Sequence, residues 1–398
     1  MGNFILYLTG FLILIIPEIL RVYWIMPFPG SQQDEMVGAA YFVNRYIWIF
    51  RIIGLLIIAA PVYYYVIKSK WVKKIAAILP LLLYAAVFYF TNYIARADKM
   101  FRQPEAKIFA DVNTNKIPVY NQIIGIEIHG EAKAYPVELI GYHHQVEDTV
   151  GGVPVMVTYC TVCRTGRVFD PVINNKKEEF RLVGMDYFNA MFEDATTKSW
   201  WRQATGECVA GKLKGDFLNE IPSQQMSLIS WMEKYPGTKI MQPDPVFAEQ
   251  YSYLIEYDEG TLSDPLERTD WNSWQLKSWV IGVKTNEGEK AYDWNDLQKE
   301  IVINDTIKNT PVLILMEDDT ISFHTYNRMI DTLCLEFIYD SSTTTLKDIN
   351  TNSTWNYYGK CTAGILEGKQ LKPVQSYQEF WHSWKTFHPN TTVYKGSK

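Results

Sequence analysis

Apolar residues crowd the first hundred positions of the chain and then thin into short alternations. Three apolar runs, at 4–26, 46–67 and 75–94, are each long enough to cross a bilayer core of about 30 Å. The first run lacks a positively charged leader and a small-residue cleavage site, and two more runs follow it. It therefore reads as a retained helix rather than a secretory signal. Pro17, Pro61 and Pro80 fall inside the runs, where neighbouring helices can satisfy the carbonyls that proline frees. Glu18 and Arg21 stand three apart in the first run, and Arg51 lies near the start of the second. A charge in lipid is costly and needs a partner. The reading adopted is an inter-helix salt bridge near the bilayer surface; an ion or substrate path is the other reading.

Past residue 102 the period changes to that of strands. Alternation predicts a hairpin from 123–128 and 132–135 around the turn His129-Gly130. It also predicts a strand at 153–159 after Gly151-Gly152, and strands at 167–170 and 179–182 flanking a turn at Asn174-Asn175. Helices are expected at 227–234 and 377–386, where Phe380, Trp381, Trp384 and Phe387 fit helical spacing and read as core.

The soluble part also matches itself. At an offset of 157, Ile124-Gly125 meets Ile281-Gly282, Lys133-Ala134-Tyr135 meets Lys290-Ala291-Tyr292, and Asp148-Thr149 meets Asp305-Thr306. At an offset of 153, the stretch Gly206-x-Cys208-x-Ala210-Gly211 meets Gly359-x-Cys361-x-Ala363-Gly364, and Trp231, Pro236 and Thr238 meet Trp384, Pro389 and Thr391. The organisation expected is an N-terminal three-helix transmembrane anchor at 1–102, followed by a β-rich α+β soluble domain of two tandem pseudo-repeats. The repeats span 103–242 and 275–398, joined by a connector at 243–274.

Charge adds sidedness. The chain carries a net −6, but residues 1–102 hold ten Lys/Arg against four acids, a balance of +6 that leaves −12 for the rest. A soluble domain so acidic is a poor partner for nucleic acid. Lys68, Lys70, Lys73 and Lys74 form an acid-free loop between the second and third runs, which the positive-inside rule places in the cytoplasm. Arg96, Lys99 and Arg102 argue the other way. The expectation is a multi-pass protein of the bacterial inner membrane with its soluble domain on the periplasmic side. Its partners would be the lipid bilayer and other envelope or membrane proteins.

Five cysteines are too few and too irregular for a disulfide framework. Cys160 and Cys163, spaced C-x-x-C at the end of a predicted strand, are the sharpest local feature. Their sulfurs can converge on one point, which suits a soft ion such as copper(I), or zinc, and equally a reversible disulfide. Gly166 and a strand-like Arg-Val-Phe follow, so no helix lowers the thiol pKa as in thioredoxin-type sites. A closed metal site needs about four ligands, and His143 is the first candidate to add to the pair. His324 aligns with Arg167 and could approach by pseudo-symmetry. Cys160 and Cys163 align with Glu317 and Thr320, so only one copy has the pair, whereas Cys208 and Cys361 occur in both and read as structural. No Walker, G-x-S-x-G, H-E-x-x-H or dinucleotide sequence is present.

The stretch from Asp148-Thr-Val-Gly-Gly-Val-Pro-Val through Cys160-Thr-Val-Cys163 to Val168-Phe-Asp170 resembles a prokaryotic family known as domain of unknown function 3179. The likeness continues through Ser199-Trp200, Gly206 and Trp231…Pro236-Gly-Thr238, and the segment Phe380-Trp-His-Ser-Trp…His388-Pro389 echoes its close. The family usually has Cys-Pro-x-Cys followed by a small residue; here Thr161 and Arg164 stand in those places. His143 and Asp148 match a further family segment. The resemblance implies an exported or membrane-tethered protein and no particular activity. Three functions are open at this point: transition-metal binding or support of an envelope complex, thiol–disulfide exchange, and a non-catalytic structural subunit.

Overall fold

The computed structural model describes residues 2–255, 257–260, 272–340 and 345–396. Of the expected connector, residues 256 and 261–271 therefore lie outside the described residues, as do 341–344 and 397–398 of the second expected repeat. The chain divides into two compact units. One comprises 1–102, 178–202 and 206–217; the other comprises 103–177, 203–205 and 218–398.

The first unit is built on three helices long and apolar enough to cross a membrane: α1, Gly2–Tyr23; α2, Val37–Lys68; and α3, Trp71–Tyr89, which runs on as a π-helical turn Phe90–Ile94. Their outer faces present bare side chains such as Leu56 (71 % exposed) and Leu79 (65 %), as suits helices turned to an apolar medium. α2 begins nine residues before the expected 46. Hydropathy is weak there because Asn44 and Arg45 interrupt the run, yet Val37 and Ala40 are buried. They pack in one core with Ile25, Val183, Met191 and Trp200. The last three belong to an antiparallel four-stranded sheet formed by Phe180–Asp186, Asn189–Asp194, Trp200–Arg202 and Cys208–Ala210.

Glu18 is wholly buried among the helices. It accepts from Arg51 Nε at 2.6 Å and Arg21 Nε at 3.0 Å. Thr91 and Asn92, both in the π-turn, donate to the same carboxylate at 3.3 Å. The expected inter-helix salt bridge is present, with one acid serving two guanidiniums.

The second unit is strand-rich. Gln122–Ile128 pairs with Glu131–Pro136 across His129 and Gly130, whose φ values of 50° and 85° suit the tight turn a twisted hairpin prefers. A short helix Val137–His143 leads into the meander Gln145–Val150, Val153–Cys160, Thr165–Phe169. The chain returns through Gln224–Ser227, the helix Leu228–Lys234 with Ser227 as its N-cap, and Lys239–Gln242, which lies parallel to Glu131–Pro136.

Further on the same order recurs. The hairpin Trp279–Lys284/Glu289–Asp293 is followed by the helix Trp294–Glu300 and the meander Val302–Ile307, Thr310–Met316, Phe323–Asn327. Then come Ser376–Phe380, the helix Trp381–Phe387, and Thr392–Val393 parallel to the second hairpin strand. Details recur too. The Trp231 ring lies over Gly125 and the Trp384 ring over Gly282, so close that an added Cβ would stand 2.4 Å and 2.1 Å from ring carbons. Tyr135 donates to Asp148 at 2.7 Å and Tyr292 to Asp305 at 2.8 Å.

The helix expected at 377–386 is a correction. Residues 376–380 are a strand paired with Trp279–Val283, and the helix starts at Trp381. Trp381, Trp384 and Phe387 lie on the helix, whereas Phe380 closes the strand and pairs with Trp279.

Candidate functional site: the Cys160–Cys163 turn

Cys160 closes the central strand of the first meander, opposite Thr165, and residues 161–164 form the turn between them. The backbone folds back through Cys163 N–H to Cys160 O (3.3 Å) and Arg164 N–H to Thr161 O (3.3 Å). Arg164 has φ of 53°, a left-handed conformation uncommon for a bulky residue. Side-chain contacts hold it there. Its guanidinium is buried, lies 3.8 Å from the Trp279 ring centroid and 5.1 Å from that of Tyr257, and donates to Gln378 Oε1, Tyr257 O and Asp258 O at 2.9, 3.1 and 3.0 Å.

The turn thereby brings both sulfurs inside. Cys160 and Cys163 have no exposed surface, neither is in a disulfide, and the two thiols hydrogen-bond each other. Burial pushes the Cys163 thiol well above its ordinary pKa; the Cys160 neighbour adds to this, and the Lys277 ammonium opposes it. A thiolate is the nucleophile in exchange reactions, so this environment favours an inert thiol.

The backbone carbonyls of Thr161, Val162 and Cys163 are taken by chain from elsewhere in the same unit. Tyr257 donates to Thr161 O at 2.8 Å. Lys277 Nζ and His382 Nε2 (3.2 Å) donate to Val162 O. The Phe380 N–H donates to Cys163 O at 3.0 Å. Thr165 hydrogen-bonds Ser383 at 3.2 Å, and Ser383 donates to Glu379 at 3.1 Å. Glu379 in turn forms a buried ion pair with Arg167. Gln203 braces the flanking strands by donating to Thr158 Oγ1 (3.0 Å) and Thr165 O (2.9 Å).

Burial, with Lys277 as a second cause, lowers the His382 pKa to about 4. The unfolded residue titrates near 6.5. Its contribution is therefore complete above pH 6.5 and is lost as pH falls toward 4, because the unfolded chain takes up the proton first. Urea unfolding of His382→Asn is expected to show a smaller drop in midpoint between pH 7 and pH 4.5 than the parent protein; equal drops would exclude this origin.

The histidines expected beside the thiols have partners of their own. His143 ends the helix Val137–His143; its Nε2 is 2.7 Å from the Tyr251 hydroxyl, and its ring packs against Tyr142, Phe247 and Tyr251. His324 Nε2 pairs with Glu317, which also accepts from Ser230 at 2.7 Å. Among the described residues no group of three or more His, Cys, Asp or Glu side chains is arranged to hold a metal ion. A tetrahedral zinc site takes four ligands, and the thiol pair alone does not supply them.

Cys208 and Cys361 sit in the recurring Gly-rich strands, outside any disulfide. Each thiol donates to the carbonyl two residues on, Ala210 O and Ala363 O, at 3.4 Å. Burial pushes the Cys208 pKa up to about 11. The residues that actually wall the thiol pair, Lys277, His382, Ser383 and the 257–258 backbone, lie about 100 to 220 positions away, and no spacing rule in the sequence points to them.

The profile of a protein family described as a protein of unknown function (DUF3179) matches residues 103–391. No curated protein and no solved structure matches the chain.

Proposed function

This chain belongs to the DUF3179 family, and we propose that it is a membrane-anchored, non-catalytic module of the cell envelope whose Cys160–Cys163 pair staples the turn on which its soluble unit is locked. The observation that carries this reading is the complete enclosure of the turn. Both thiols are buried, and the carbonyls of Thr161, Val162 and Cys163 are held by Tyr257, Lys277, His382 and Phe380. A catalytic dithiol needs an accessible, acidic sulfur; here burial raises the Cys163 pKa. The three apolar helices support a role in the membrane, and the lysine loop at 68–74 supports an exoplasmic soluble unit. The recurring order of elements supports descent from a duplicated unit that kept the thiol pair in one copy.

In an oxidising compartment, while the chain folds and before the unit closes over them, the two adjacent thiols pass two electrons and two protons to a disulfide-bearing oxidant of the envelope, which leaves as two thiols, and close to a disulfide. Closing a loop of four residues stabilises the fold by roughly 2 kcal/mol in the chain-entropy relation. Cys160→Ser/Cys163→Ser is thus expected to lower the unfolding free energy by about 2 kcal/mol, and reductant is expected to lower the parent's urea midpoint but not the variant's. Unchanged midpoints would refute the staple.

The convergence of two sulfurs favours one further reading, two-coordinate copper(I), a soft ion matched to thiolates. Near-stoichiometric copper in the purified protein, absent from the double variant, would replace the staple by that site.

A further inference from the structure

The helical unit contains a polar cavity of about 140 Å³ where the last turn of α1, the first turns of α2 and the π-turn Phe90–Ile94 meet the sheet. Arg21, Arg96 and Arg181 line it against a single carboxylate, Asp98. An adjoining recess of about 160 Å³ adds Arg45 and Lys198 against Glu193. With Arg51 and Glu18 just beneath, six cations share three carboxylates. The available acids are shared rather than matched: Asp98 serves both Arg96 and Arg181, the latter at 3.6 Å, and Arg181 also reaches Glu193 at 2.9 Å. Deeper in, Arg21 and Arg51 share Glu18. Arg45 and Lys198 are exposed at the rim and have no ion-pair partner among the described residues.

Two further observations fix the depth and the shape of this site. α1 ends, α2 begins and the third helix ends at the same level, so the cavity lies at one end of the helical bundle. Tyr23, Trp24, Tyr41, Tyr46 and Trp48 cluster in those same turns, and Trp and Tyr concentrate where hydrocarbon gives way to headgroups. The π-turn places Thr91 and Asn92 on the inner side, where both contact the buried Glu18 and Asn92 also accepts from Arg21 and Arg51. Such π-helical insertions are rare and gather at functional sites.

We propose that this cavity takes the phosphate group of an anionic phospholipid. A planar guanidinium matches two phosphate oxygens at once, and surplus positive charge at headgroup depth has no counterpart within the protein. Arg181 and Arg96 engage the phosphate, Asn44 donates from α2, and Arg45 and Lys198 hold the rim. Free inorganic phosphate shares this chemistry, so the test separates the two sources.

The full-length protein, delipidated in a neutral maltoside detergent, would be titrated with dihexanoyl phosphatidylglycerol, dihexanoyl phosphatidylcholine and inorganic phosphate, with melting temperature and binding isotherms as readouts. Phosphatidylglycerol is expected to bind saturably, at least tenfold more tightly than phosphatidylcholine, and to raise the melting temperature, whereas inorganic phosphate leaves it unchanged. Arg181→Ala, at a side chain 43 % exposed, is expected to weaken that binding about tenfold; Arg45→Ala, at the exposed rim, about threefold. Equal stabilisation by inorganic phosphate would overturn the lipid assignment. Indifference to all three probes, or phosphatidylglycerol binding unaltered in both variants, would overturn the site itself.

Discussion

Replacing Glu18 by alanine is expected to destabilise the helical unit by about 3–5 kcal/mol, the usual penalty for removing one partner of a buried ion pair. The carboxylate has no exposed surface and is the common acceptor for Arg21, Arg51, Thr91 and Asn92. Without it two guanidiniums repel each other inside an apolar bundle, where each charge is expensive. Glu18→Gln keeps an acceptor oxygen but not the charge, and should fall between the parent and the alanine variant. The measurement is the detergent-unfolding midpoint of the full-length protein in micelles, followed by the loss of helix. A Glu18→Ala midpoint within 0.5 kcal/mol of the parent would show that the cluster is solvated rather than sealed.

Arg164→Ala should have a comparable effect on the other unit, about 3–5 kcal/mol. The guanidinium sits 3.8 Å from the Trp279 ring centroid, and three donors are spent on Gln378, Tyr257 and Asp258. Truncation forfeits the cation–π contact and strands buried acceptors. The left-handed φ of 53° gives an internal control. Arg164→Gly relieves the backbone and should be about 0.5–1 kcal/mol less damaging than alanine. Lysine should not rescue, because one ammonium cannot reach three diverging acceptors. Urea unfolding monitored by tryptophan fluorescence reads all three variants. Equal stability of the glycine and alanine variants would remove the backbone part of the argument.

How much of this was legible beforehand depends on the range over which each interaction acts. The three apolar runs and the turns at His129-Gly130 and Gly151-Gly152 are local features, and all are present. The early start of α2 escaped because what makes residues 37–45 helical is a sheet some 140–170 positions away, not their own hydropathy. The helix Val137–His143 escaped because its seven residues, Glu138 among them, make barely two turns, too short for a helical period to show. That omission misplaced His143: at the end of a helix it turns toward Tyr251 and Phe247. His324 was assigned by its alignment with Arg167, but it answers to Glu317, the residue that replaces Cys160 in the second half. Cys160 and Cys163 converge as their spacing implies. The spacing could not reveal that Tyr257, Lys277 and His382 close over them, since those contacts depend on how the two halves of the unit meet.

The sealing of that turn is tested most directly by alkylation mapped with mass spectrometry, since Cys334 is exposed and serves as an internal standard. In the folded protein a thiol reagent should label Cys334 and leave Cys160 and Cys163 unmodified, both as isolated and after mild reductant; unfolding with reductant should then expose the pair together. Labelling of Cys160 or Cys163 in the folded protein as fast as Cys334 would contradict a buried staple and return the pair to the class of accessible, reactive thiols.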